Sequence, residues 1–146
     1  MPDAGASIST IAAIAKIHPR GRLERVIRGL KFVSIPSRDL PRAVAFWTGK
    51  FGFTVASEQP FENSPSWIEL RLPGTDTRFV LYTPAAEPAP ADVPPHVSFT
   101  TDDLARTYDE LRTKGVEFEG PVRRTDWGAS AVFRDSEGNS FLIAAP

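Results

Sequence analysis

The sequence predicts an α+β domain built from two copies of a βαβββ unit, and three observations predict it. Phe32-Val33-Ser34-Ile35 followed by Asp39-Leu40 returns as His96-Val97-Ser98-Phe99 followed by Asp103-Leu104, 64 positions later. The stretch Arg71 to Pro84 aligns without a gap on Phe133 to Pro146, so that Phe79 meets Phe141 and Leu81 meets Ile143. The punctuation between these landmarks is also the same in both copies: an acidic residue, an amphipathic run, a glycine and then strand-like segments.

Each element follows from its residues. The apolar segments 32–35 and 96–100 are short enough for strands. Asp39 and Asp103 stand where a helix needs an oxygen to accept from its free first N–H groups. Pro41 falls in the opening turn, where its missing N–H costs little. Ala43, Phe46 and Trp47 make one apolar stripe, and Leu104, Tyr108 and Leu111 the other. Gly52 and Gly115 close these helices. A strand then begins near Phe53 or Val116, and a hairpin follows with the turn Pro73-Gly-Thr-Asp76 or Asp135-Ser-Glu-Gly138. The units are 30–84 and 95–146. Residues 85–94, with prolines at 88, 90 and 94, read as an extended spacer that cannot continue a sheet.

Composition narrows the function. A chain of 146 residues, 41% hydrophobic, is long enough to bury a core and too apolar to be wholly disordered. It has no cysteine, which removes thiol nucleophiles, disulfides and thiolate metal sites and leaves cytoplasm the default compartment. A net charge of −1 gives no general attraction to nucleic acid or membrane, and no apolar run approaches the ~20 residues of a membrane span. Residues 1–31 nonetheless carry six basic side chains against two acidic ones. This marks 1–29 as a basic extension, either a targeting peptide or a plain appendage. Phosphate loops, nucleophile elbows and paired-cysteine zinc patterns are missing from the sequence.

Asp39-Leu40, Ala43, Phe46-Trp47, Phe51-Gly52-Phe53, Asp103-Leu104 and the terminal Phe133-Arg-Asp-Ser-Glu-Gly-Asn-Ser-Phe together resemble the vicinal oxygen chelate superfamily, which includes glyoxalase I, extradiol dioxygenases and bleomycin-resistance proteins. The resemblance covers residues 30–146. It implies that the modules form a cup-shaped, incompletely closed eight-stranded sheet with helices outside, and that the molecule is a homodimer. In metal-using members one residue on the first strand and one on the last strand of each module are ligands. Here those positions hold Phe32, Val80, His96 and Leu142, so His96 is the one surviving ligand-type residue, and neither a metal nor another cofactor is expected.

Strand alternation supplies the contents of the cup. If the turn Pro73–Asp76 closes the first hairpin, Arg71 faces Arg78, Glu69 faces Val80 and Trp67 faces Tyr82, all on one side of the sheet with the ligand-equivalent Val80. The same frame gives Ala129, Ala131, Phe133, Ser140, Leu142 and Ala144 from the second copy, and the first strands add Phe32, Ser34, His96, Ser98 and Thr100. Arg71 and Arg78 suit a carboxylate or phosphate, while Trp67, Tyr82 and Phe133 suit a flat ring. Trp127, on the loop entering the second cup strand, reads as a lid or as a plug beneath that loop. The bland readings are an ordinary ion pair for Glu69, a relic for His96 and a covered interface for Trp67 and Tyr82. The expected function is therefore metal-independent binding of a small aromatic or anionic molecule. The alternative is a lyase, isomerase or dioxygenase-like enzyme that uses Glu69 or His96 as its catalytic base or rebuilds a metal site.

Overall fold

In the computed structural model the described residues are 26–61, 64–84 and 95–146. The chain divides into two compact units, Met1–Leu30 and Lys31–Pro146. The readings made for the basic extension and for the 85–94 spacer fall almost wholly outside the described residues. The unit Lys31–Pro146 runs β1 (Phe32–Pro36), α1 (Leu40–Phe51), β2 (Thr54–Phe61), β3 (Ser64–Arg71), β4 (Arg78–Tyr82), β5 (Ser98–Thr100), α2 (Leu104–Thr113), β6 (Glu117–Phe118), β7 (Arg123–Thr125), β8 (Gly128–Arg134) and β9 (Ser140–Ala145).

The strands form two sheets that do not close on each other, ordered β1-β4-β3-β2 and β5-β9-β8-β6. In both, the first strand of the module lies parallel to its last, as β1 on β4 and β5 on β9, and the remaining neighbours are antiparallel. The edge of the second sheet is broken: β6 and β7 both pair with β8, separated by Gly120-Pro121, where proline has no N–H to give to a ladder. Among the described residues no helix is long and apolar enough to cross a membrane.

Local chemistry sets the helix ends. Asp39 accepts from the Arg42 amide and Asp103 from the Arg106 amide, each at 3.1 Å. At the far end of α1, Gly52 adopts φ +73° and lets its N–H return to the Trp47 carbonyl. The closing residue of α2 is Lys114, with Gly115 just beyond it at φ +91°.

A single core joins the modules. Trp47 of α1 is fully buried; its ring lies 4.5 Å from Phe79 of the first sheet and 5.1 Å from Phe141 of the second. Phe79 also reaches Phe99 at 5.8 Å. Both sheets therefore direct the face bearing Phe79, Leu81, Phe99, Phe133 and Phe141 into one interior.

Polar contacts fasten the same junction. Glu137, in the β8–β9 turn, accepts from Ser37 Oγ and the Arg38 amide at 3.0 Å and from the Asp39 amide at 3.2 Å. Asn139 Nδ2 donates to the Pro36 carbonyl at 3.2 Å. Lys50 Nζ donates to the Lys114 carbonyl at 2.6 Å, linking the ends of the two helices. Burial opposes ionisation of Glu137, but the Arg38 and Asp39 amides, the Ser37 hydroxyl and the Arg42 charge outweigh it and hold the carboxyl below its ordinary value. The neighbouring Asp135 is shifted upward, chiefly by burial, against its bonds from Asn139 and from the Glu137 amide.

The two shifts act in opposite directions on stability. Glu137 stabilises the fold above the unfolded glutamate value, and that contribution is lost as pH falls through its lowered folded value. Asp135 contributes below the unfolded aspartate value and loses that contribution as pH rises through its raised one. Glu137→Gln is expected to cost roughly 1.5–3 kcal/mol at neutral pH, from the charge-assisted bonds it weakens. Urea unfolding at a series of pH values should show the gap from the parent narrowing below about pH 4.5. A gap that stays constant into acid would show that the Glu137 charge is not what matters.

Candidate functional site

The first hairpin pairs in the register read from its turn: Trp67 with Tyr82, Glu69 with Val80 and Arg71 with Arg78. These residues share the face that turns away from the core, together with Phe32 and Ser34, which pair with Arg78 and Val80. The polar chemistry of this wall centres on Glu69. One oxygen accepts from Trp67 Nε1 at 3.2 Å and the other lies 3.8 Å from Arg78 Nε, with both charged side chains about 30% exposed. The carboxylate thus ties an aromatic ring to a guanidinium, while Arg71 stands exposed directly across from Arg78.

The wall is concave. Phe32 is level with Arg78 and Trp67 with Tyr82, four residues or roughly 13 Å apart along β4. Their rings nevertheless meet edge to face with centroids 5.3 Å apart. Only a curled sheet brings them together across the strand between them. Val80 lies midway along that strand, on the open face, and has no accessible surface. It lies on the face read from strand alternation, but its side chain is covered.

The expected frame of the second module is corrected. Phe133 pairs with Phe141 and is fully buried in the core, 6.1 Å from Trp47 and 5.5 Å from Phe141. It lines no cup, and Ala129 and Ala131 accompany it inward. The cause is turn length: six residues separate β3 from β4, but five separate β8 from β9. One residue of slip reverses every side chain on β8. The outward set is instead Ser130, Val132 and Arg134 beside Ser140, Leu142 and Ala144. Arg134 therefore takes the place of Arg71 in the repeat, and it lies 3.4 Å from Glu119, which also accepts from Ser140 Oγ at 3.0 Å. The length difference between the turns was the available signal for Arg134 and Glu119.

For Trp127 the sequence left two readings, a lid or a plug. It is 91% exposed at the β7–β8 turn, so it is not a plug. Thr125 Oγ1 accepts from the Trp127 amide and donates to the Gly128 carbonyl, both at 3.2 Å. Gly128 is required there, since a Cβ would lie 2.4 Å from the Ala145 carbonyl oxygen.

The two residues read as alternative bases lie in different modules. Glu69 belongs to the first sheet, whereas exposed His96 precedes β5 of the second. Because both sheets turn their other faces into the common core, the two open walls lie on separate surfaces of one chain. Leu142 is half-buried on the second wall, away from Tyr82 and Trp67.

The four positions that would hold a metal in this architecture carry Phe32, Val80, His96 and Leu142. Among the described residues no three His, Cys, Asp or Glu side chains converge as a metal would need. One imidazole among two aliphatics and a phenyl ring does not fit a metal ion, which needs three or four O or N ligands.

The fold and the repeat place the chain in a known class: residues 29–143 match the Glyoxalase/Bleomycin resistance protein/Dioxygenase superfamily, and the chain belongs to it. A relative in Bacillus subtilis (strain 168), the uncharacterized protein YetH, is 33% identical over 118 residues, covering 81% of this chain and 98% of its own length. Among solved structures, TnmS3, an antibiotic binding protein from Streptomyces sp. CB03234, is 28% identical with a TM-score of 0.68, covering 83% of this chain and 98% of that one. A superfamily member from Sphaerobacter thermophilus DSM 20745 superposes with a TM-score of 0.72 at 22% identity, covering 82% and 98% of the two chains, a likeness of fold.

Proposed function

We propose that this protein binds, without a metal, a small molecule that carries a flat ring and an anionic end. The ring sits against Trp67 and Tyr82, and the anion against Arg71 and Arg78. The observation that carries the reading is Glu69 joined to both Trp67 Nε1 and Arg78, which presents aromatic surface and positive charge on one concave wall. TnmS3, an antibiotic binding protein 28% identical to this chain, supports a binding function.

The reading includes a homodimer in the cytoplasm, because each chain leaves a concave wall open that a second copy can roof. Light scattering at micromolar concentration should give twice the 16.0 kDa chain mass; a mass of 16.0 kDa removes the dimer.

Arg78→Ala separates a ligand role from a merely structural one. The loss of a 3.8 Å, part-exposed ion pair should change stability by only ~0–1 kcal/mol. Affinity for naphthoate, followed by calorimetry, should fall by roughly tenfold or more as a charge-assisted contact disappears. An unchanged affinity for every aromatic acid tried would remove the anion subsite. Catalytic turnover lowered about a hundredfold by Glu69→Gln would replace the binder with an acid–base lyase or isomerase.

A further inference from the structure

Phe32 holds an anomalous position on the wall. It is 42% exposed, yet its ring edge contacts Trp67 from a starting point four residues away along β4. Trp67 is held in place from the other side, because its indole N–H is engaged by Glu69. Val80, on the same face of β4 between the levels of Phe32 and Trp67, is shut off from solvent. The pair therefore places the chain's own aromatic surface on the open wall beside Glu69 and Arg78. Of its two members, Phe32 is the less constrained: a phenyl ring has no polar group to anchor it, and the residue is 42% exposed.

We propose that Phe32 is a gate, and that it sets which ligands enter. Its ring occupies the place that a ligand ring takes, and binding swings it off Trp67 and uncovers Val80. This rests on the wall being the ligand site. It adds that the site is self-filled, so a ligand must offer a ring able to replace the phenyl contact with Trp67. A small anion without a ring would leave the gate shut and gain only the arginine contacts. Discrimination between flat aromatic anions and simple ones then comes from a side chain that touches no charge.

The test is a fluorescence titration with anilinonaphthalene sulfonate, which joins a flat ring system to an anion. Phe32→Ala removes the competing ring and should bind the probe roughly two- to tenfold more tightly than the parent, the scale of one lost aromatic pair. Phe32→Leu should shift affinity in the same direction by less. The gain must need the arginine, so Phe32→Ala/Arg78→Ala should lose it. Cooperative melting of each variant guards against probe uptake by loosened protein.

Equal or weaker binding by Phe32→Ala, with Arg78→Ala still weakening the parent, overturns the gate and leaves the binding site standing. Binding that is indifferent to Arg78 in every background overturns the site itself. A gain that survives without Arg78, no binding by either protein, or a changed oligomeric mass of Phe32→Ala each overturns the gate as well.

Discussion

Trp47→Ala is expected to lower stability by ~3–5 kcal/mol, the range for removing a large buried aromatic side chain. Trp47 has no accessible surface, and its ring lies within about 6 Å of Phe53, Phe79, Phe99, Phe133 and Phe141, which come from both sheets. Its loss leaves a cavity where the modules meet, so the whole unit should melt earlier as one transition. Trp47→Phe should be far milder. The Trp47 Nε1 is buried without a hydrogen-bond partner, and removing that donor offsets part of the contact area given up. Urea unfolding of the two variants gives the comparison. Equal losses would show that the ring contacts do not set the cost.

Phe133→Ala should cost a similar ~3–5 kcal/mol, while Leu142→Ala, at a half-buried position, should cost much less. This contrast tests the direction of β8. In the frame read from the sequence, Phe133 and Leu142 share the cup, and both substitutions would act on ligand affinity. In the structure Phe133 stacks with Phe141 inside the core at 5.5 Å, so its loss should act on stability. A mild Phe133→Ala accompanied by weaker ligand binding would restore the original frame.

The sequence showed most clearly what short-range chemistry decides. The caps at Asp39 and Asp103 follow from side-chain oxygens placed three residues ahead of the amides they accept from. The β3–β4 hairpin follows from one turn and strict alternation, and its three wall pairs came out in register. The repeat located the second module, since Phe79 and Phe141 do hold equivalent places opposite Leu70 and Phe133. It did not fix β8, because a gapless alignment hides a turn that is one residue shorter. That single residue exchanged Phe133 for Arg134 on the open wall.

Two features lay beyond any local pattern. Alternation identifies the polar face of each sheet but not how the faces of two modules are disposed. That is decided by Trp47 and the phenylalanines, which draw both apolar faces into one interior. The contact between Phe32 and Trp67 depends on the curl of the first sheet, which no spacing in the sequence records. The burial of Val80 on that same face is likewise not recorded by any spacing.

The central claim is that a ring-bearing anion settles on the Trp67–Glu69–Arg78 wall. The chain has three tryptophans, so nitrogen-resolved NMR gives one indole N–H signal each for Trp47, Trp67 and Trp127. On titration with naphthoate the Trp67 signal should move to saturation, because Glu69 holds that N–H at the site, while the buried Trp47 signal stays fixed. In Arg78→Ala the Trp67 movement should need far more naphthoate. A Trp67 signal that does not move at saturating naphthoate, or that moves equally with and without Arg78, would contradict the account.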